Sequence, residues 1–262
     1  MSDTNNRWLG AGDMLSTVGM RLFCLPHAGS GTAAFYRWKR LLAPGILVCP
    51  IHLPGRERRL AEPLLDQADV LVSELLAATA SLLGHPYAIF GHSMGALMAY
   101  EWARQIAAAG LPAPACLFVS GRNAPHTQPE HCEIHTLADS AFVHELGTRY
   151  GGMPCDFLDD PDLRRLFLPI LRADLKLVET YAHDSTQLLT CAIFAAAGAN
   201  DRSVSTAGLQ AWASVTDGTT EMFRYAGDHF YHLASGGDTL LDNIKARLDH
   251  HSSEVRENGG SR

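Results

Sequence analysis

Gly91-His92-Ser93-Met94-Gly95 is the stretch of this chain best suited to covalent chemistry. It follows the apolar run Tyr87–Phe90 and opens a helical pattern, Ala96–Ala109. A serine between two glycines, at a turn from strand to helix, sits on a sharp bend that presents its hydroxyl above the sheet. The flanking glycines leave room for the bend, and the helix N-terminus offers backbone N–H groups to developing negative charge. A serine hydroxyl is a weak nucleophile, so it needs a base, and the base needs a carboxylate to orient it. The chemistry such a set performs is acyl transfer through an acyl-serine.

The strand–turn–helix setting is that of the α/β-hydrolase fold, in which the order along the chain is serine, acid, histidine. Downstream of Ser93 the best acid is Asp201, in the loop Gly198-Ala199-Asn200-Asp201 after the apolar run Cys191–Ala197. The best histidine is His229, in Gly227-Asp228-His229-Phe230 after the last predicted strand. Both leave the C-terminal ends of parallel strands, where the site crevice of such a sheet lies. Asp228 is a poor orienter, because adjacent side chains point apart, and Asp184 follows helices rather than a strand. Among the 13 histidines, His126, His183 and His232 lack strand-end placement.

An oxyanion hole needs two backbone N–H donors. One is expected from Met94, the residue after the serine, and the other from the glycine-rich loop Pro26-His27-Ala28-Gly29-Ser30-Gly31, at Ala28. No metal is expected. His126, His131, Cys132 and His135 are close in sequence but fit no zinc spacing. No cofactor is expected either, because Gly29-x-Gly31 lacks the third glycine and the acidic residue of a dinucleotide fingerprint.

These residues need a scaffold. Arg21–Leu25, Ile46–Leu53, Tyr87–Phe90, Cys116–Ser120, Cys191–Ala197 and Glu221–Tyr225 read as strands. Ala33–Leu42, Ala68–Leu83, Ala96–Ala109, Val204–Ser214 and Asp238–Leu248 read as helices between them. This alternation predicts an α/β fold with a mostly parallel central sheet and helices on both faces. Residues 136–181 break the pattern with two helices and no strand: Leu137–Leu146, and Asp162–Tyr181 with Pro169 expected to kink it or start a new segment. An all-helical insert at this point reads as a lid. The expected organisation is a core of residues 1–135 and 182–250, a lid of 136–181 and a flexible polar tail of 251–262.

Composition narrows the partners. The 262 residues are 47% apolar and 19% charged, enough for a full core. Net charge is −7, from 21 Lys and Arg against 28 Asp and Glu, which speaks against a non-specific nucleic-acid binder. A basic window from Arg37 to Arg59 is the local exception, read either as a solvated face or as a docking patch for an acidic partner. The sequence carries no recognisable secretory signal and no apolar run of membrane-spanning length. Six cysteines without a CxxC, four of them in apolar runs, fit a reducing cytoplasm.

Taken together, Leu25-Pro26-His27-Ala28-Gly29, Leu53-Pro54-Gly55-Arg56-Glu57, the Ser93 pentapeptide, Ser120-Gly121-Arg122, Leu171-Arg172-Ala173-Asp174 and Gly227-Asp228-His229-Phe230 resemble the type II thioesterases. These are stand-alone partners of polyketide synthases and nonribosomal peptide synthetases, and the resemblance runs from about Arg21 to Leu233. Asn123 stands where a second basic residue is usual, and Tyr231-His232 where a second aromatic and an apolar residue are commoner. The resemblance implies a Ser93–His229–Asp201 triad with Ala28 and Met94 as oxyanion donors. It implies a phosphopantetheinylated acyl or peptidyl carrier protein as partner, with no nucleic acid, no membrane and a monomeric enzyme. The implied role is removal of stalled or wrong acyl groups. The alternatives are a medium-chain fatty-acyl thioesterase of a fatty-acid synthase, a general esterase or lipase, and a silent carrier-binding module.

Overall fold

The structure, a computed structural model, describes residues 6–14, 19–127, 133–151, 160–184, 187–234 and 236–259. Six strands form one sheet: β1 Met20–Leu25, β2 Ile46–Pro50, β3 Tyr87–His92, β4 Cys116–Ser120, β5 Ala192–Gly198 and β6 Thr220–Tyr225. Their order is β2-β1-β3-β4-β5-β6, and every pairing is parallel. Both faces of such a sheet are covered, so strand residues of either parity are apolar. In β1, Phe23 and Leu25 enter the core on one face while Leu22 and Cys24 enter the core on the other. β3 alternates likewise, Tyr87 and Ile89 against Ala88 and Phe90. At the edge, β6 is half exposed.

The helices are α1 Ala11–Met14, α2 Tyr36–Leu41, α3 Ala68–Thr79, α4 Met94–Ala108, α5 Asp139–Tyr150, α6 Pro161–Glu179, α7 Thr206–Gln210 and α8 Gly236–Gly259. On one face of the sheet, α3 and α4 bring Leu71, Leu75, Leu97 and Trp102 onto Phe23 and Ile89. Opposite them, Trp38 of α2 and Leu240, Leu241 and Ile244 of α8 cover Leu22, Phe90 and Phe118.

All six expected strands are present, β2 ending at Pro50 where a run to Leu53 was expected, and the other differences lie in the helices. The stretch 33–42 is a 3-10 turn, Thr32–Phe35, followed by α2. The stretch 204–214 is α7 followed by a 3-10 turn, Ala211–Val215, with the Ser205 hydroxyl capping α7 by accepting from Gly208 N at 2.9 Å. α6 is not interrupted at Pro169. That residue is on the exposed side, so water reaches the carbonyl its ring leaves without a donor. α6 is set by its start: the Asp160 carboxylate accepts from Asp162 N and Leu163 N at 2.9 and 3.1 Å, with Pro161 at the first helical position. α8 continues to Gly259, through residues expected as tail.

α5 and α6 form a small core of their own. Ile134, Phe142, Leu146, Leu168, Leu171 and Leu175 pack together over Ala28. Arg172 braces this unit, its guanidinium 4.5 Å from the Phe142 ring centroid and its NH2 2.8 Å from Asp139 Oδ1. The insert therefore sits on the glycine-rich loop after β1, above the C-terminal edge of the sheet.

Candidate active site

Ser93 is the residue before α4, and its backbone is at φ 56°, ψ −112°. This conformation is costly for a residue with a side chain, and its surroundings enforce it. Ser93 N donates to Ser120 O at 2.7 Å, while Ser93 O accepts from Ala96 N at 3.0 Å. The two glycines are required by close approach. A Cβ on Gly91 would lie 2.0 Å from Gly95 O, and one on Gly95 would lie 2.2 Å from Leu25 O. Although serine is a favoured N-cap, the Ser93 hydroxyl makes no capping bond to α4. It stays available for other chemistry. Met94 N–H belongs to the first helical turn, whose donors have no intrahelical acceptor.

Asp201 and His229 come together across the ends of β5 and β6. His229 Nδ1 and Asp201 Oδ2 are 2.8 Å apart, and both residues are buried. The other carboxylate oxygen, Oδ1, accepts from Ser203 N at 2.9 Å and Ser203 Oγ at 2.6 Å. Ser203 Oγ is also 3.1 Å from His229 Nδ1. Burial alone would push the Asp201 carboxyl up. Its hydrogen bonds with His229 and Ser203 outweigh that and hold it below the usual carboxylate value. The sequence offered no sign of Ser203; only the loop conformation brings it to the carboxylate.

Ser93, Met94, Ala28 and Gly29 share one wall of a cavity of about 370 Å³. Phe167, Leu171, Leu175 and Val178 of α6 and Leu146 and Tyr150 of α5 line it from the insert. The Tyr150 ring is 5.0 Å from the ring of His229. The lining is overwhelmingly apolar, suited to an aliphatic or aromatic group in a size range typical of small-ligand sites. No hydrogen bond joins Ser93 Oγ to another of the described residues.

Beneath His229 lies a cluster that sequence reasoning missed. His232, set aside as a loop residue, is buried and stacks on His92, with ring centroids 3.8 Å apart. His27 packs against both, at 5.4 and 5.9 Å. Burial lowers all three: His27 to about 4, and His92 and His232 well below their ordinary value. Beside them, His92 Nδ1 lies 2.8 Å from Ser120 Oγ, which is 2.6 Å from Tyr231 OH. This explains Ser120-Gly121: the serine ties β4 to the elbow, and a Cβ at Gly121 would come within 2.4 Å of the His92 ring.

The basic window is not a free cationic face. Arg56 and Arg59 are buried, Arg56 on Asp174 and Arg59 on Glu62 and over the Trp8 ring. Arg58 donates to the carbonyls of Arg7 and Leu9, Arg37 pairs with Asp238 at 2.6 Å, and Lys39 pairs with Asp13 at 2.8 Å. Most of these cations are already paired with acceptors of the same chain. Of the suspected metal cluster, His126 lies 3.3 Å from Ser214 Oγ and His135 2.7 Å from Glu179. His131 and Cys132 lie outside the described residues.

A parallel sheet with a strained serine at the β3–α4 turn, and a histidine–aspartate pair beyond the ends of β5 and β6, defines a hydrolase of the α/β-hydrolase fold. Residues 20–248 match the family described as the thioesterase domain, and the chain belongs to that family: it is a thioesterase. It is 38% identical over 226 residues to the gramicidin S biosynthesis protein GrsT of Aneurinibacillus migulanus, covering 86% of this chain and 88% of that one. It is 39% identical to thioesterase PikA5 of Streptomyces venezuelae, covering 81% and 75%. In three dimensions it resembles RedJ, the thioesterase of the prodiginine biosynthetic pathway in Streptomyces coelicolor. The TM-score is 0.82 at 35% identity, over 88% of this chain and 86% of the other. Among the described residues no helix is long and apolar enough to cross a membrane.

Proposed function

We propose that this thioesterase hydrolyses acyl groups from the phosphopantetheine arm of a carrier protein, clearing stalled or aberrant chains in polyketide or nonribosomal peptide assembly. It acts as a monomer in the cytoplasm, a setting in keeping with its buried free thiols Cys24, Cys49, Cys116 and Cys191. The observation that carries the reading is the shared cavity. Ser93, Ala28 and Met94 line one apolar chamber roofed by α5 and α6, with the His229–Asp201 pair behind it.

The chemistry follows from those positions. His229 takes the proton of Ser93 as Oγ attacks the thioester carbonyl, and Asp201 stabilises the resulting imidazolium. The Ala28 and Met94 N–H groups receive the tetrahedral oxyanion. The C–S bond breaks, the pantetheine thiolate takes the proton from His229, and the acyl group remains on Ser93. Water then attacks the ester, giving its proton to His229, which returns it to Ser93 Oγ as the free acid departs. Hydrogen bonds of this kind often tighten only with substrate in place. The insert acts as the lid, keeping bulk water from the acyl chain.

The test is intact-mass spectrometry of an acylated, phosphopantetheinylated carrier protein incubated with the enzyme, with Ser93→Ala as control. Loss of the acyl mass with wild type alone is the expected outcome. Activity confined to medium-length fatty acyl chains would point to fatty-acid release instead. No turnover of several carrier-bound acyl groups, alongside hydrolysis of simple esters, would refute the carrier-directed reading.

A further inference from the structure

Two motifs are left unused by this chemistry: Pro54-Gly55-Arg56-Glu57 and Leu171-Arg172-Ala173-Asp174. The fold brings them together. Arg56 NH1 donates to Asp174 Oδ2 at 2.7 Å, and Arg56 NH2 to Asp174 Oδ1 at 2.6 Å. Both residues are buried, 6% and 1% exposed. Asp174 Oδ2 also accepts from Gly29 N at 2.8 Å, and Arg56 NH1 also donates to Ser30 O at 3.1 Å. The ion pair thus grips the loop that carries Ala28 at the two residues that follow it. One turn along α6, Leu171 fills the space beside Gly29, where an added Cβ would lie 2.4 Å from Leu171 Cδ2.

We infer that Asp174, neutralised by Arg56, is a positioning residue for the oxyanion hole. Its carboxylate captures the Gly29 N–H and so fixes the orientation of the neighbouring Ala28 N–H toward Ser93. Energetics favour this over a purely structural role. A buried ion pair holds a fold together no better than well-packed apolar residues of similar volume. What apolar residues would not do is accept the Gly29 N–H. The arginine has a second effect: an unpaired carboxylate so close to the developing oxyanion would oppose it, and bidentate pairing cancels that charge. Because Asp174 belongs to α6, an opening motion that lifts α6 from the loop must either part the ion pair or carry the loop along. The inference rests on Ala28 serving as oxyanion donor.

The test compares two double variants, R56M/D174N and R56M/D174L. Both remove the ion pair and the bond to Ser30, and they differ in whether residue 174 accepts the Gly29 N–H. With a soluble acyl thioester, and with Tm values matched, R56M/D174N should turn over at least about tenfold faster than R56M/D174L. The difference should lie in kcat and not in KM, because misplacing an oxyanion donor costs on the order of a hundredfold. Equal kcat values would overturn the inference. If R56M/D174L does not fold, Asp174→Glu keeps the charge for Arg56 but moves the carboxylate by one methylene. A fall in kcat at wild-type Tm supports the inference, and an unchanged kcat overturns it. Hydrolysis that survives Ser93→Ala would instead defeat the reading of the site on which the inference rests.

Discussion

Mild acid should unfold this protein through the histidines beneath its active site. His27, His92 and His232 are buried and held neutral, their titration lowered first by burial and then by neighbouring histidines, His229 among them. In the unfolded chain each titrates near pH 6.5, so between there and the lowered folded values the unfolded state binds more protons. Stability from these groups is therefore full above about pH 7.5 and falls as pH drops through 6.5. For His27 the loss stops growing below about 4, where its folded form protonates too. For His27, neutral in the fold at pH 5, the loss is about 2 kcal/mol relative to pH 7.5, and His92 and His232 add to it in the same direction. That is a sizeable part of the stability of an ordinary domain, about 5–15 kcal/mol. The carboxylates held low, Asp201 and Glu57 (about 2), lose their contribution only at lower pH and do not confuse the window. The assay is urea unfolding between pH 7.5 and 5, on wild type and on His232→Phe. Among the described residues His232 has no hydrogen-bond partner at either ring nitrogen, so phenylalanine keeps the stack on His92 while removing one titrating group. The pH-dependent loss should be clearly smaller in the variant. A wild-type loss below about 2 kcal/mol, or a variant indistinguishable from wild type, would refute the reasoning.

Three further perturbations test the site and its roof. Gly95→Ala should yield no active, folded enzyme by circular dichroism and thioester hydrolysis, because the new Cβ would stand 2.2 Å from Leu25 O, a backbone atom of β1. Ser203→Ala removes the 2.6 Å O–H donor to Asp201 while the 2.9 Å backbone donor remains. A hydrogen bond to a charged group contributes about 1.5–3 kcal/mol, so kcat should fall roughly tenfold or more and Tm should fall by a few degrees. Phe142→Ala empties the centre of the α5–α6 core, where the ring is fully buried under Arg172. It should destabilise that unit by about 3–5 kcal/mol, read as faster amide exchange in α5 and α6 than in the sheet.

The strands were legible because a parallel sheet covered on both faces turns each strand into a short apolar run bounded by glycine or proline, as in Cys116–Ser120. Helix ends were less legible, because a single hydrogen bond decides them. Ser205 caps α7 where the apolar pattern alone began a residue earlier, and α6 passes Pro169 because that turn faces water. The basic window was ambiguous for a related reason. Composition counts charges without their acceptors, and Arg56, Arg58 and Arg59 meet theirs inside the molecule.

The sequence by itself determined the class of chemistry. A serine flanked by two glycines at a strand–helix turn, followed in order by an acid and a histidine at strand ends, is a pattern that local sterics and sheet topology fix together. Tertiary structure decided what surrounds those residues. The stacked His92 and His232 and the Arg56–Asp174 grip on Gly29 join residues brought together only by the fold. In the last case 118 positions separate the partners. Such contacts leave no periodicity or spacing in the chain. They depend on where packed helices and loops come to rest, and packing is a property of the whole fold.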